Sequence, residues 1–135
     1  VMETPGHTRG HIAFFFPNGA ALLCGDTLFS LGCGRLLEGT AAELFKSLEK
    51  FRALPPESLI CCGHEYTEAN ARFALAADPG NAALQAYAEQ VRAWRAANKP
   101  TVPSRLSDEL AANPFLRTPD AAALADLRSR KDQFR

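Results

Sequence analysis

Three side chains with metal-ligating chemistry, His7, Asp26 and His64, each stand at or beside the end of an apolar run. His7 lies in TPGHTRGH, Asp26 closes ALLCGD and His64 closes SLICCGH. Imidazole and carboxylate suit zinc, iron and manganese. A carboxylate at a strand end can bridge two cations with its two oxygens, and a water between two cations turns to hydroxide near neutral pH, a nucleophile for a carbonyl. Three ligands are too few for two metals, so the set reads as part of a centre. His11 opens the next apolar run and reads as a packed, hydrogen-bonded ring. Cys24 and Cys62 read as core residues, and Glu65 and Asp108 as solvated or capping groups.

The elements that must place these residues are legible. Residues 11–16 (HIAFFF) and 20–24 (AALLC) read as two strands joined by the turn Pro17-Asn18-Gly19. Residues 27–39, with Gly32, Gly34 and Gly39, read as a loop. Thr40 and Glu43 form a capping box, and Leu44, Leu48 and Phe51 recur at helical spacing, which predicts a helix over 41–52. Residues 58–62 (SLICC) read as a third strand. After His64 no strand is expected. Helices are predicted over 66–77 and 82–97, a short one from Ser107 to Asn113, and a last one capped by Thr118 with Pro119 in its first position. The order strand, strand, helix, strand followed by helices is an α/β layer with a helical part, dividing near residue 65.

Composition narrows the function classes. Of 135 residues, 47% are hydrophobic and 22% charged, with 15 Lys plus Arg against 15 Asp plus Glu. That balance gives no case for nucleic acid or an acidic membrane surface. The apolar runs are too short to span a bilayer. The four cysteines, Cys24, Cys33, Cys61 and Cys62, match no zinc-binding spacing and read as reduced thiols in a cytoplasmic compartment. The functional-looking motif begins at residue 4, so the chain reads as starting in mid-domain.

A second constellation concerns charge. Arg35 sits in the glycine-rich loop, Tyr66 follows the His64 turn, and Asn70 lies four residues later on the same helical face. Arg128 and Lys131 are one turn apart near a basic end. Together these can clamp a peptide-like molecule with free carboxylates. Read without any family, Arg128 and Lys131 are first a solvated face of a terminal helix.

At this point the chain resembles a known family. TPGHTRGHI, GDTLFSLGCGRLLEGT, LPPESLICCGHEYTEAN, PTVPSRLSDELAANPFLR and RKDQF are similar to the blocks of the C-terminal half of the hydroxyacylglutathione hydrolases, or glyoxalase II enzymes, of the metallo-β-lactamase superfamily. The resemblance implies an α/β fold, the second half of a metallo-β-lactamase αββα sandwich over residues 1–65, followed by a helical C-terminal domain over residues 66–135 that binds a glutathione thioester. It implies two divalent metal ions, zinc with iron or manganese as alternatives. His7 is then a ligand of one, His64 of the other, and Asp26 the bridge. Arg35, Tyr66, Asn70, Arg128 and Lys131 become contacts to glutathione, and Leu37 stands where some members have a tyrosine contact. The implied reaction is hydrolysis of S-2-hydroxyacylglutathione, typically S-D-lactoylglutathione, by a metal-bound hydroxide.

The family's THxHxDH ligand block is not in this sequence. The resemblance therefore implies an inactive fragment with an exposed sheet edge and apolar face, completed by a companion chain carrying an N-terminal half. The alternatives are a non-catalytic glutathione-binding module, a structural half-domain that needs a partner, and a sulfur dioxygenase or lactonase of the same superfamily.

Overall fold

The strand-turn-strand reading holds. In the computed structural model, which describes residues 1–135, β1 (Met2–Glu3) precedes β2 (Ile12–Phe16). A single 3-10 turn at Pro17–Gly19 leads from β2 into β3 (Ala21–Gly25). β2 and β3 pair antiparallel, Phe14 opposite Leu23 and Phe16 opposite Ala21. The expected loop after β3 contains a two-stranded ribbon, β4 (Leu28–Phe29) with β5 (Gly32–Cys33). Helix α1 (Ala41–Arg52) then leads to β6 (Leu59–Cys62), which lies parallel to β3. A strand does follow His64: β7 (Ser104–Arg105) pairs antiparallel with β6. Two residues of pairing are too short to show as an alternating pattern. The main sheet runs β1-β2-β3-β6-β7.

Helix α1 occupies the predicted range. The Thr40 hydroxyl accepts from the Glu43 N–H while the Glu43 carboxylate accepts from the Thr40 N–H, so two terminal donors are satisfied reciprocally. Replacing Thr40 with alanine is expected to lower the unfolding free energy by about 1 kcal/mol. A lower urea midpoint at constant slope would show it.

Four further helices complete the chain: α2 (Thr67–Ala77), α3 (Ala82–Ala96), α4 (Leu106–Ala112) and α5 (Ala121–Gln133). The last begins two residues beyond the predicted start. Asp120 caps it by accepting from the Ala123 N–H, while the Thr118 hydroxyl donates to the Phe115 carbonyl instead. No helix is long and apolar enough to cross a membrane.

Strand alternation decides which face is covered. Ala13, Leu22, Cys24 and Ile60 point into the core. They pack there with Leu44, Leu48 and Phe51 of α1, Leu106 of α4 and Leu124 and Leu127 of α5. Ile12, Phe14, Phe16, Leu23 and Leu59 lie exposed on the opposite face. A smaller cluster joins α2, α3 and α4 through Ala74, Leu84 and Ala112, and even there Leu31 from the β4–β5 turn takes part.

This overturns one expectation. The helices do not form a separate domain appended to a half-sandwich. The sheet's core face has only α1 from the first 65 residues to cover it, so α4 and α5 return to it and share one core.

Candidate metal centre

The fold brings His7, Asp26 and His64 together. β3 and β6 are adjacent and parallel, so the residues just past their C-terminal ends, Asp26 and His64, emerge on the same side of the sheet. His7 comes from the loop between β1 and β2. Its Nδ1 carries the proton and donates to the Arg35 carbonyl at 2.9 Å, which leaves Nε2 as a free lone pair. Gly63 permits the approach of β6, because a Cβ there would strike Asp26 Oδ1.

The distances distinguish two readings of the triplet. His7 Nε2 is 3.6 Å and His64 Nε2 3.5 Å from the same oxygen, Asp26 Oδ2. These are long for hydrogen bonds. Two donors each about 2.1 Å from a tetrahedral ion stand about 3.4 Å apart. Each histidine thus stands from Asp26 at the spacing of two ligands on one cation, with the carboxylate common to both. No group of three or more His, Cys, Asp and Glu side chains by itself surrounds a common point at holding distance. The donor types and these spacings fit ligation of a divalent cation beside Asp26.

Nearby sulfur does not compete. Cys24 is buried, and burial, reinforced by Cys62, pushes its thiol far above the ordinary range. Burial also raises the Cys62 thiol. Both stay protonated at neutral pH and pack in the core. His11 is hydrogen-bonded within its surroundings, and burial, then the neighbouring His7, lowers its pKa.

A cavity of about 510 Å³ opens beside His7 and Asp26 and is also lined by Arg35, Tyr66, Asn70, Arg128 and Lys131. His64 meets it through Tyr66, whose ring stacks on the imidazole at 4.8 Å, with Phe29 edge-on to Tyr66 at 5.1 Å. Tyr66 is 48% exposed, so its phenol faces the open space. Leu37 lines the same cavity with its side chain largely exposed.

The polar residues around the cavity are not equivalent. Asn70 is only 3% exposed, and its amide donates to the Ser30 carbonyl. Arg128 is 4% exposed: its Nη1 donates to the Cys33 carbonyl at 2.7 Å, and Nε and Nη2 both donate to Asp132 Oδ1. Lys131 lies over the Phe73 ring at 5.5 Å, and desolvation, then Arg128, lowers its pKa. Arg35 is exposed.

Three residues escaped the sequence reading. Asp132 pins Arg128 through an i,i+4 pair that the spacing could have signalled. Phe29 was one apolar residue among many. Glu109 is fully buried, and the signal was its position three after the core residue Leu106 and four before Asn113, on a helix face that should be apolar. Glu65, read as solvated or capping, accepts from the Thr101 N–H and hydroxyl.

The family model described as metallo-beta-lactamase superfamily matches residues 1–64, and the one described as hydroxyacylglutathione hydrolase C-terminus matches residues 65–134. A hydroxyacylglutathione hydrolase of Methylococcus capsulatus is 52% identical over 100% of this chain and 58% of its own length. One of Acidiphilium cryptum is 58% identical over 99% of this chain and 55% of its own. The chain thus spans less than three fifths of the length of these curated relatives. Among solved structures, ETHE1 from Myxococcus xanthus superposes with a TM-score of 0.65 at 21% identity, covering 99% of this chain and 46% of that one. A metallo-beta-lactamase of Staphylococcus aureus gives 0.57 at 21%, covering 96% and 37%. At that identity the likeness concerns the fold.

The two family matches correct the sequence reading in three respects. The chain is not a C-terminal half alone, since a match to the metallo-β-lactamase superfamily precedes the match to the hydrolase C-terminus. Its fold is a metallo-β-lactamase-type unit with helices, not a second-half fragment joined to a separate helical domain. With both parts in one chain, no companion chain carrying an N-terminal half is implied.

Proposed function

Because the chain belongs to the hydroxyacylglutathione hydrolase family, we propose that it serves the hydrolysis of S-2-hydroxyacylglutathione, with S-D-lactoylglutathione as the typical substrate, to glutathione and a 2-hydroxy acid. The observation that carries the reading is the single Asp26 oxygen flanked at near-equal distance by His7 and His64 beside a cavity with cationic walls. In this reading His7 Nε2, His64 Nε2 and the Asp26 carboxylate would hold two divalent cations, zinc by preference, with iron and manganese as alternatives. Bound there, the cations supply Lewis acidity toward the thioester carbonyl and lower the pKa of a water.

The remaining work falls to the chain's own residues. The Arg35 carbonyl fixes the His7 tautomer by accepting its Nδ1 proton. The Tyr66 ring lies over His64 and presents its hydroxyl to the glutathione backbone. Lys131 and Arg35 meet carboxylates as cations. Arg128, held by Asp132 and by the carbonyl and sulfur of Cys33, adds fixed positive charge to the cavity wall beside Lys131. Asn70, with its amide directed to Ser30, shapes the wall that the tripeptide faces. Holding glutathione at these groups places binding energy away from the bond that breaks. Four free cysteines suit a reducing compartment such as the cytoplasm.

The test is direct. The chain is loaded with zinc, iron or manganese and offered S-D-lactoylglutathione, and loss of the thioester absorbance is followed. Metal-dependent turnover with release of free thiol supports the reading. Binding of glutathione by metal-free protein with no thioester loss under any metal would instead make this a glutathione-binding module.

A further inference from the structure

We propose that His11 is a positioning residue that aims the Asp26 carboxylate by accepting its backbone N–H. The proposal rests on the metal reading above only for its functional consequence. The pairing of β3 with β6 shifts register between Leu23 and Gly25, so the ladder is irregular just before Asp26. The Asp26 N–H points instead to His11 Nε2 at 3.2 Å. Because Nε2 accepts, Nδ1 carries the ring proton. Nδ1 lies 2.9 Å from Thr27 Oγ1 and 3.0 Å from Thr4 Oγ1, and the Thr27 hydroxyl in turn donates to Thr4 Oγ1 at 3.3 Å.

Both threonines are fully buried, so the ring is held from behind. It is held from the side as well. Gly25 has φ +51°, and a Cβ there would lie 2.8 Å from Nε2, so the ring rests against bare backbone. A packed core histidine needs none of this directionality. The peptide between Gly25 and Asp26 is the pivot on which the carboxylate turns, and fixing its N–H fixes where Oδ2 meets His7 and His64.

Two substitutions separate positioning from packing. In His11→Gln the side-chain oxygen reaches the place of Nε2 and can still accept from Asp26. In His11→Asn it reaches only the place of Nδ1. The first readout needs no metal: hydrogen exchange of the Asp26 amide by NMR in wild type and both variants. The second is zinc affinity by competition with a chromogenic chelator, with the cobalt-loaded spectrum as a check on ligand geometry.

The Asp26 amide should stay protected in His11→Gln and exchange fast in His11→Asn. Zinc affinity should stay within about threefold in the former and fall roughly 10- to 100-fold in the latter. Equal thermal destabilisation of the two variants would leave that contrast intact. If both variants protect the amide as wild type does, or both lose it alike, the positioning role is overturned. If wild type takes up no metal, the proposed function fails, and the amide measurement still decides the role of His11.

Discussion

Asp26→Asn is expected to cut metal uptake and thioester hydrolysis together, the latter by a factor of about 10³ or more, equivalent to about 4 kcal/mol of barrier. The substitution keeps the shape of the side chain and removes its charge. Both Nε2 atoms that approach Asp26 Oδ2, at 3.6 and 3.5 Å, would then face a neutral amide. A neutral oxygen is a poorer partner for a divalent cation than a carboxylate. Because the same oxygen stands beside both histidines, this substitution removes a charge common to both, whereas a change at His7 or His64 removes one donor. Metal content after dialysis and the steady-state rate of thioester loss measure the two effects. A variant that keeps its metal and its rate would remove Asp26 from the proposed centre.

Glu109→Ala should cause a large loss of stability. The carboxylate is fully buried and accepts from the Ser30 hydroxyl at 2.7 Å, the Leu31 N–H at 2.9 Å and the Asn113 amide at 3.0 Å. Leu31 is itself held at φ +57°, a left-handed conformation that costs a leucine free energy. Removing the acceptor leaves buried donors unpaired, at about 1–3 kcal/mol each. A total of about 3–5 kcal/mol is expected, with a fall in Tm of roughly 10 °C or more. Thermal and urea unfolding read it, and a loss under 1 kcal/mol would show that Glu109 does not hold this loop.

The same residue carries a pH signature. Desolvation by burial raises the Glu109 pKa above the ordinary 4.5. The folded state then binds its proton more tightly than the unfolded state. The stabilisation from that proton is fully present below pH 4.5 and is lost as pH rises through the raised value. Glu109→Gln, which cannot titrate, should therefore compare less favourably with wild type on the acid side of that window than on the alkaline side. Urea unfolding of both proteins at several pH values isolates the effect.

Local elements were legible wherever the signal was local. Helix α1 could be placed to the residue because Thr40 and Glu43 cap it and Leu44, Leu48 and Phe51 mark its face. The hairpin of β2 and β3 followed from two apolar runs and a turn of three residues. The β4–β5 ribbon was hidden because its backbone is met from far along the chain. Asn113 donates to the carbonyls of Phe29 and Gly32, and Glu109 receives Leu31. The start of α5 was misplaced because two capping candidates, Thr118 and Asp120, stand two residues apart and only the surrounding fold chooses between them.

The sequence by itself determined the donor types, the strand ends that carry them and the family blocks, because side-chain chemistry and short-range periodicity are written in neighbouring residues. Tertiary structure alone decided that His7 and His64 meet one oxygen of Asp26, because that depends on β3 and β6 lying parallel and adjacent across 37 residues of chain. It also decided that the helices share the sheet's core, and that Arg128 and Asn70 are turned inward. Burial is a property of what returns to cover a residue, and that information is distributed over the whole chain.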